Sequence, residues 1–501
     1  MIVLIWIYIV ALVGVFVYAS YQFYLAILYR FGRKNSAVNS AQKKSFFPFV
    51  TIQLPIYNER YVVHRLLNCI AEMEYPEEKL QIQILDDSDD DTVEIIDRWL
   101  ESYEGPLEFL LIRRKERSGY KAGALKEGLA SAKGELIAIF DADFLPDSDF
   151  LIKTVGCFQD PKIGVVQTRW GFINREYSIL TSLQTLALDA HFTLEQTARN
   201  QYHHFINFNG TGGVWRKQCI LDGGNWSPET LTEDLDLSYR SQFKGWKFKY
   251  LEEIETPSEL PVNIFALKKQ QFRWNKGGAQ NLRKHLFQIL SNKRMRLSDR
   301  IHGILHLMNS SVYIFVLFAL IASFPVAMIT RENSELRDYF QFSWIFLGLN
   351  FLLMYVYWIG FSRTHKVNWK SFPLFLPKFF MFLFLSFGLT IHNTLAVLEG
   401  WMGIQSGFVR TPKFNIVEEN EVWEENEYVK AEVGFIEILE FVFGIYFLIA
   451  TYFDLVYGDV IMTIFHSAVA LGFLIIWSFS IRLWWRLNQK KSKTLASIDK
   501  I

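Results

Sequence analysis

The chain has 501 residues, too many for one ordinary hydrophobic core, so two or three units are expected. Lys+Arg and Asp+Glu are both 52, and this balance gives no basic footprint that would point to nucleic acid as a partner. Half of the residues are hydrophobic and 45 are Phe, more than a soluble protein usually carries, which points to membrane segments. The three cysteines, Cys69, Cys157 and Cys219, form no CxxC pair; they fit neither a zinc site nor a disulfide framework, and a reducing compartment is expected.

Residues 2–29 carry no charge. A span needs about 20 apolar residues, so a transmembrane helix is predicted over 1–30. No basic residue precedes the run and no small-residue cleavage site ends it, so a signal peptide is not expected. Arg30, Arg33, Lys34, Lys43 and Lys44 follow, and the positive-inside rule then starts the next segment in the cytoplasm.

From 46 to about 300 the composition is that of a soluble domain. Residues 49–55 read as a strand that stops at Pro55, followed by a turn over 56–59 and a helix over 60–73 with Val63, Leu66, Leu67 and Ile70 on one face. A second strand, 81–85, closes on Asp86-Asp87-Ser88-Asp89-Asp90-Asp91. A helix over 92–103, a strand over 107–112 and a helix over 119–132 come next, with Lys121 in the last helix's first turn. The apolar run 136–140 is a fourth strand, and it ends abruptly in Asp141-Ala142-Asp143. This alternation predicts a parallel sheet built from right-handed crossovers. Neither GxGxxG nor GxxxxGKS is present, so no dinucleotide site or P-loop is supported.

In open α/β sheets ligands sit beyond the carboxyl ends of the strands. Asp141 and Asp143, placed there, would repel each other unless a cation lay between them. Mg²⁺ suits such a site because it takes few carboxylates and completes its shell with ligand phosphates. An isolated DxD is as often an Asp-rich turn. Here a second acidic strand end, Asp86/Asp87, would face the same crevice, and Lys121 starts a nearby helix. That combination points to a metal-chelated ligand such as a nucleotide diphosphate, and the Asp87 cluster could also accept a hydrogen bond from a base. Further on, 165–170 reads as a strand and 208–213 (FNGTGG) as a loop able to approach a ligand closely. Thr232-Glu233-Asp234 opens a helical pattern, with Thr232 as N-cap and acids in the first turn as its structural account. The stretch 268–278 (KKQQFRWNKGG) combines amides, a guanidinium and an indole; structurally it reads as a cationic interfacial helix with an aromatic anchor.

Residues 301–330 and 341–362 are two more charge-free runs joined by a short mixed-charge loop. Arg294, Arg296 and Arg300 precede the pair and Arg363, Lys366 and Lys370 follow it, so 301–362 is predicted as a hairpin with both flanks cytoplasmic. A second hairpin, 433–485, has apolar runs 441–453 and 460–481 with Asp454 and Asp459 at its tip, then Arg482, Arg486, Lys490, Lys491 and Lys493. Between the hairpins, 372–398 is long enough to span. A crossing there would put the basic C-terminus outside, whereas a re-entrant or interfacial course keeps every basic cluster inside. Pro373, Pro377 and Lys378 also fit a broken or in-plane segment. Five spans and one re-entrant or interface element, continuing to 415, are expected. The acidic run 418–432 reads as a solvated linker without chemistry.

Taken together, these residues resemble the family 2 membrane glycosyltransferases of the cellulose-synthase-like group, and in particular the bacterial and plant mannan and glucan synthases with one N-terminal span. The resemblance rests on an ordered set: LDDSDDDT (85–92), Asp141-Ala142-Asp143, Thr232-Glu233-Asp234, and the QxxRW of Gln270, Arg273 and Trp274. Phe408-Val409-Arg410-Thr411-Pro412-Lys413 resembles the FxVTxK gating loop, with Arg410 where the family has valine. The resemblance implies a GT-A-like cytosolic domain, Rossmann-like and α/β, over 46–300, combined with an α-helical transmembrane region. It implies that Asp86, Asp87 and Lys121 hold the nucleotide, and that Asp141 and Asp143 bind Mg²⁺ or Mn²⁺ with the diphosphate. Asp234 would be the general base, with Glu233 and Thr232 beside it. Gln270 and Arg273 would clamp the diphosphate, Trp274 would stack on the acceptor sugar, and Thr411 and Lys413 would close over a loaded site.

The expected activity is inverting, processive synthesis of a β-glucan, β-mannan or glucomannan from UDP-glucose or GDP-mannose, with transport of the product across the plasma or inner membrane. The alternative is transfer of one sugar to a membrane lipid, as in ceramide glucosyltransferases. A polysaccharide-handling protein without activity is disfavoured because Asp143 and Asp234 are intact. The implied partners are a nucleotide-sugar donor, a growing polysaccharide or lipid acceptor and membrane lipid, with no nucleic acid.

Overall fold

The computed structural model describes residues 2–32, 46–333, 344–416, 421, 423 and 426–498. Arg33, Lys34, Lys43 and Lys44, residues 334–338 of the mixed-charge loop, the start of the 341–362 run, part of the acidic run (418–420, 422, 424 and 425) and the side chains of Lys491 and Lys493 lie outside the described residues.

The α/β domain is built on a seven-stranded sheet: β1 (Val50–Ile56), β2 (Leu80–Asp86), β3 (Phe109–Arg113), β4 (Leu136–Ile139), β5 (Ile163–Phe172), β6 (Gly213–Arg216) and β7 (Lys247–Ser258), in the order β3-β2-β1-β4-β6-β5-β7. The half β3-β2-β1-β4 is parallel, as the strand–helix alternation predicts. The other half departs from an all-parallel sheet, because β6 runs antiparallel to both β4 and β5. The reason lies in the FNGTGG loop. Gly212 donates its N–H to the Ile139 carbonyl at 2.9 Å and accepts from Thr168 N at 3.1 Å, so the chain enters the sheet at the carboxyl ends of β4 and β5 and can only run back. Gly210 and Gly212 take φ of 84° and 64° to make that turn, a conformation that favours glycine.

Strand β4 shows how the sheet separates two cores. Leu136, Ala138 and Phe140 face one apolar layer with Ile52, Leu54 and Leu66; Ile137 and Ile139 face the other with Leu125, Leu129 and Trp215. A strand buried on both faces must be apolar throughout, which is why its acidic end is so abrupt.

Among the described residues, five helices are long and apolar enough to cross a membrane: Ile2–Phe31, Asn309–Glu332, Trp369–Gly388, Phe435–Val456 and Val460–Lys490. The expected span at 341–362 is the helix Trp344–Thr364, which begins at the edge of the described part. The segment read as re-entrant is two helices, Phe372–Gly388 and Thr390–Met402, meeting at Leu389. Both of its ends lie against the α/β domain or its interfacial helix. Arg363, just before it, pairs with Glu252 at 3.0 Å and Glu253 at 2.5 Å; Lys378 pairs with Glu176 at 3.3 Å, and Glu399 with Lys276 at 2.6 Å. At the other ends of the hairpins Arg331 pairs with Asp454 at 2.7 Å and Asp459 at 3.2 Å.

The acidic run is not the solvated linker its composition suggests. Its described residues dock on the domain: Tyr428 donates its hydroxyl to Asp90, Glu427 pairs with Arg60 at 2.9 Å, and the Trp423 ring lies 6.1 Å from that of Phe414.

Candidate active site

The site is assembled at the carboxyl ends of β1, β2 and β4. Arg113, the last residue of β3, and Arg114 just beyond it go to different aspartates. Arg113 Nε donates to Asp86 at 2.8 Å, while Arg114 Nε donates to Asp87 at 2.9 Å. Asp86 is buried, also accepts from the Ser88 amide at 3.0 Å, and is not among the residues that line the cavity. Asp87 does face the cavity.

Each carboxylate of the DxD is held by its own lysine. Lys121, one residue into the helix Tyr120–Ser131, places Nζ 2.5 Å from Asp141 Oδ1 and donates to the Gly210 carbonyl at 2.9 Å. Burial would lower its pKa, but the charges of Asp141, Glu233 and Asp234 outweigh burial and hold it above the ordinary lysine value. Lys413 comes from the far end of the chain and places Nζ 2.6 Å from Asp143 Oδ2, which also accepts the Glu259 amide at 3.2 Å.

The helix Glu233–Phe243 presents Glu233 and Asp234 in its first turn. Burial, reinforced by the charge of Glu233, pushes the Asp234 carboxyl above the usual carboxylate range. A Cβ on Gly210 would stand 3.2 Å from Asp234 Oδ2, so this loop approaches the carboxylate as closely as only glycine allows. Thr232 stands at the N-cap but its hydroxyl makes no cap bond; it accepts from Asn281 Nδ2 at 2.9 Å instead. The capping account is therefore corrected: Thr232 ties this helix to the interfacial helix Ile264–Ser291.

That interfacial helix, capped by Asn263 on the Ala266 amide at 2.9 Å, carries Gln270, Arg273 and Trp274 on one face, as their spacing of three and four requires. The Arg273 guanidinium lies 5.0 Å from the Phe408 ring centroid, and Trp274 lies 6.4 Å from Trp170. Gln270 Oε1 and Thr411 Oγ1 are buried without a hydrogen-bond partner.

Asp87, Lys121, Asp141, Asp143, Thr232, Glu233, Asp234, Gln270, Arg273, Trp274, Thr411 and Lys413 all line one cavity of about 170 Å³. A second cavity of about 340 Å³ continues among the apolar helices past Tyr18, Glu195, Tyr313 and Tyr357. Trp170, Asn209, Asp234, Gln270 and Trp274 belong to both walls.

Several lining residues went unremarked in the sequence. Glu59 pairs with Arg410 at 2.7 Å, the Arg117 guanidinium lies 3.3 Å from the Tyr57 ring centroid, and Asn209 and Trp170 stand at the junction of the two cavities. Glu259 had a legible signal: it is a lone acid within the otherwise uncharged run 256–267.

Among the described residues no cluster of three or more His, Cys, Asp or Glu could hold a metal ion. The donor set present, two hard carboxylates on one turn, fits a cation that takes one or two protein oxygens and fills its shell from phosphate.

Sheet, acidic strand ends and flanking helices define a GT-A-like α/β domain joined to helices long enough to span a membrane. Residues 48–277 match the family described as "Glycosyltransferase like family 2". That stretch of the chain is therefore similar to this family. It is 39% identical over 278 residues to probable glucomannan 4-beta-mannosyltransferase 4 of Oryza sativa subsp. japonica, covering 54% of this chain and 50% of the relative. It is 39% identical over 269 residues to glucomannan 4-beta-mannosyltransferase 9 of Arabidopsis thaliana, covering 52% and 50%. The chain thus spans about half the length of these curated relatives. A mannosyltransferase from Pyrobaculum calidifontis, solved with GDP-Man and Mn²⁺, superposes with a TM-score of 0.51 at 21% identity, covering 71% of this chain and 98% of that one, and shares the fold.

Proposed function

We propose that the chain is an inverting, processive membrane glycosyltransferase that polymerises a β-mannan or glucomannan from a nucleotide sugar and passes the product through its helices. The carrying observation is that one cavity, lined by the DxD, Asp234 and the QxxRW residues, shares a wall that includes Trp274 and Trp170 with a second cavity between the apolar helices. GDP-mannose is the favoured donor, supported by relatives named as glucomannan mannosyltransferases.

Asp234 is the general base: a half-buried carboxylate facing both cavities takes the proton from the acceptor hydroxyl as that oxygen attacks the sugar carbon. Its raised proton affinity suits it to that task near neutral pH. When bound at Asp141 and Asp143, Mg²⁺ or Mn²⁺ supplies positive charge to the leaving diphosphate. Arg273 and Lys413 add fixed positive charge, and Gln270 and Thr411 offer unpaired polar atoms. Trp274 and Trp170 give the acceptor an aromatic platform, and Asp87 with Arg117 and Tyr57 lines the nucleotide end. The segment 403–416 covers the site and keeps water out.

The proposed topology has the catalytic domain in the cytoplasm and the 372–402 segment returning to the side it left. The contacts of Arg363, Lys378 and Glu399 with the domain side support this course.

The test is product analysis. Purified protein in lipid, with Mn²⁺ or Mg²⁺ and labelled GDP-mannose or UDP-glucose, is expected to yield a long polymer cleaved by a β-mannanase. A single-sugar glycolipid, or no product from any donor, would overturn the proposal.

A further inference from the structure

Glu259 follows the last residue of β7 and is among the most buried carboxylates in the molecule, with a side chain 1% exposed. A buried charge needs partners, and those of Glu259 are unusual. Its Oε1 accepts the Phe414 amide at 2.8 Å and its Oε2 the Asn415 amide at 3.0 Å; one cation, Arg65, stands off at 3.4 Å. The backbone of the same residue faces the DxD. Its N–H donates to Asp143 Oδ2 at 3.2 Å, and its carbonyl accepts from Lys413 Nζ at 3.1 Å. Glu259 therefore touches the end of the covering segment through its carboxylate and the metal-binding aspartate through its amide.

We infer that Glu259 is a positioning residue that latches the segment 407–416 over the site, acting through the Phe414 and Asn415 amides and so setting where Thr411 and Lys413 stand. Asn415 takes φ of 60° to aim its N–H at the carboxylate, a conformation that asparagine tolerates better than most residues. Two consecutive amides on one carboxylate make a defined seat, and lifting the segment would leave the charge buried with Arg65 alone. The inference rests on the proposed transferase reading, in which this segment excludes water.

Two measurements test it. In amide hydrogen exchange on the full chain in detergent or nanodiscs, Phe414 and Asn415 should be protected in the native protein. In Glu259→Gln both should exchange roughly tenfold faster, the worth of one hydrogen bond to a charged group, with the strand amides unchanged. In the enzyme assay Glu259→Gln should lower kcat about tenfold with little change in donor KM, and raise the ratio of donor hydrolysed to donor transferred. A residue that merely holds β7 against Arg65 would lower stability and leave that ratio where it was, which would overturn the inference. Should Glu259→Gln fail to fold, the native exchange data decide alone, because Phe414 and Asn415 amides exchanging as fast as free chain exclude the latch. If no donor gives product, the functional reading fails while the exchange result still stands on its own.

Discussion

The floor and the roof of the cavity solve the same problem by different means. The floor holds Asp87, Asp141 and Lys121 at strand ends and a helix start, where sheet register and flanking helices leave no choice of position. The roof, 407–416, has no regular structure, and its side chains are placed by point contacts: Lys413 on Asp143, Arg410 on Glu59, and two amides on Glu259. Each aspartate of the DxD meets one of these regions, Asp141 through the floor's Lys121 and Asp143 through the roof's Lys413. On the proposed reading, a fixed floor and a roof held by point contacts suit a repeating reaction, since the donor must enter and the spent nucleotide must leave at every step.

The largest effect is expected on the floor. Asp234→Asn should cut polymerisation by about 10²–10⁴-fold while nucleotide affinity, read by calorimetry, stays nearly constant; retained turnover would remove Asp234 as the base. Lys121→Met should also abolish turnover, because it leaves Asp141, Glu233 and Asp234 side by side without the cation they share. The unrelieved repulsion among these carboxylates should lower the thermal unfolding temperature along with activity. Lys413→Ala, its counterpart on the roof, should lower turnover by about 10²-fold, and because Asp143 is more deeply buried than Asp141 it should lower the unfolding temperature as well. Retained turnover in either variant would remove that lysine from the site.

The floor was largely legible in the sequence and the roof only through resemblance. Strands β1, β2 and β4 are short uncharged runs, and β2 and β4 lead straight into aspartates that can be read locally; β1 runs on through Pro55 to Ile56, past the stop the proline suggests. Strands β6 and β7 escaped that reading. The first is four residues leaving a glycine loop, and the second carries Lys247, Lys249, Glu252, Glu253 and Glu255 on a half-exposed edge, so its charges hide the strand. Pairings across long stretches of chain were invisible as well. Nothing near Asp86 says that Arg113 neutralises it, and nothing in the acidic run says that Tyr428 reaches Asp90. Local pattern gives strands and their ends, whereas the docking of a loop from 270 residues away depends on the tertiary structure that brings it back.

The smallest expected effect falls on Arg410. Its guanidinium pairs with Glu59 at 2.7 Å and lies 4.4 Å from the Tyr428 ring, so it pins the roof at a second point beside the β1 turn. Burial pushes the Glu59 carboxyl up to about 7, while Arg410 pulls it down. Glu59 is therefore ionised above that value and takes a proton as pH falls through it, which weakens the pair with Arg410. Because the folded pKa is raised above the ordinary glutamate value of 4.5, the group favours folding most below 4.5 and loses that contribution as pH rises through about 7. Stability and roof engagement thus move in opposite directions over the same window. Arg410→Val should reduce turnover at pH 8 by only about two- to fivefold, the range of a partly exposed ion pair. Between pH 8 and pH 6 the native enzyme should lose relatively more activity than the variant, since only the native roof has the pair to lose. Parallel pH profiles for the two proteins would show that Arg410 fills space beside Tyr428 and that the pair with Glu59 does not hold the roof.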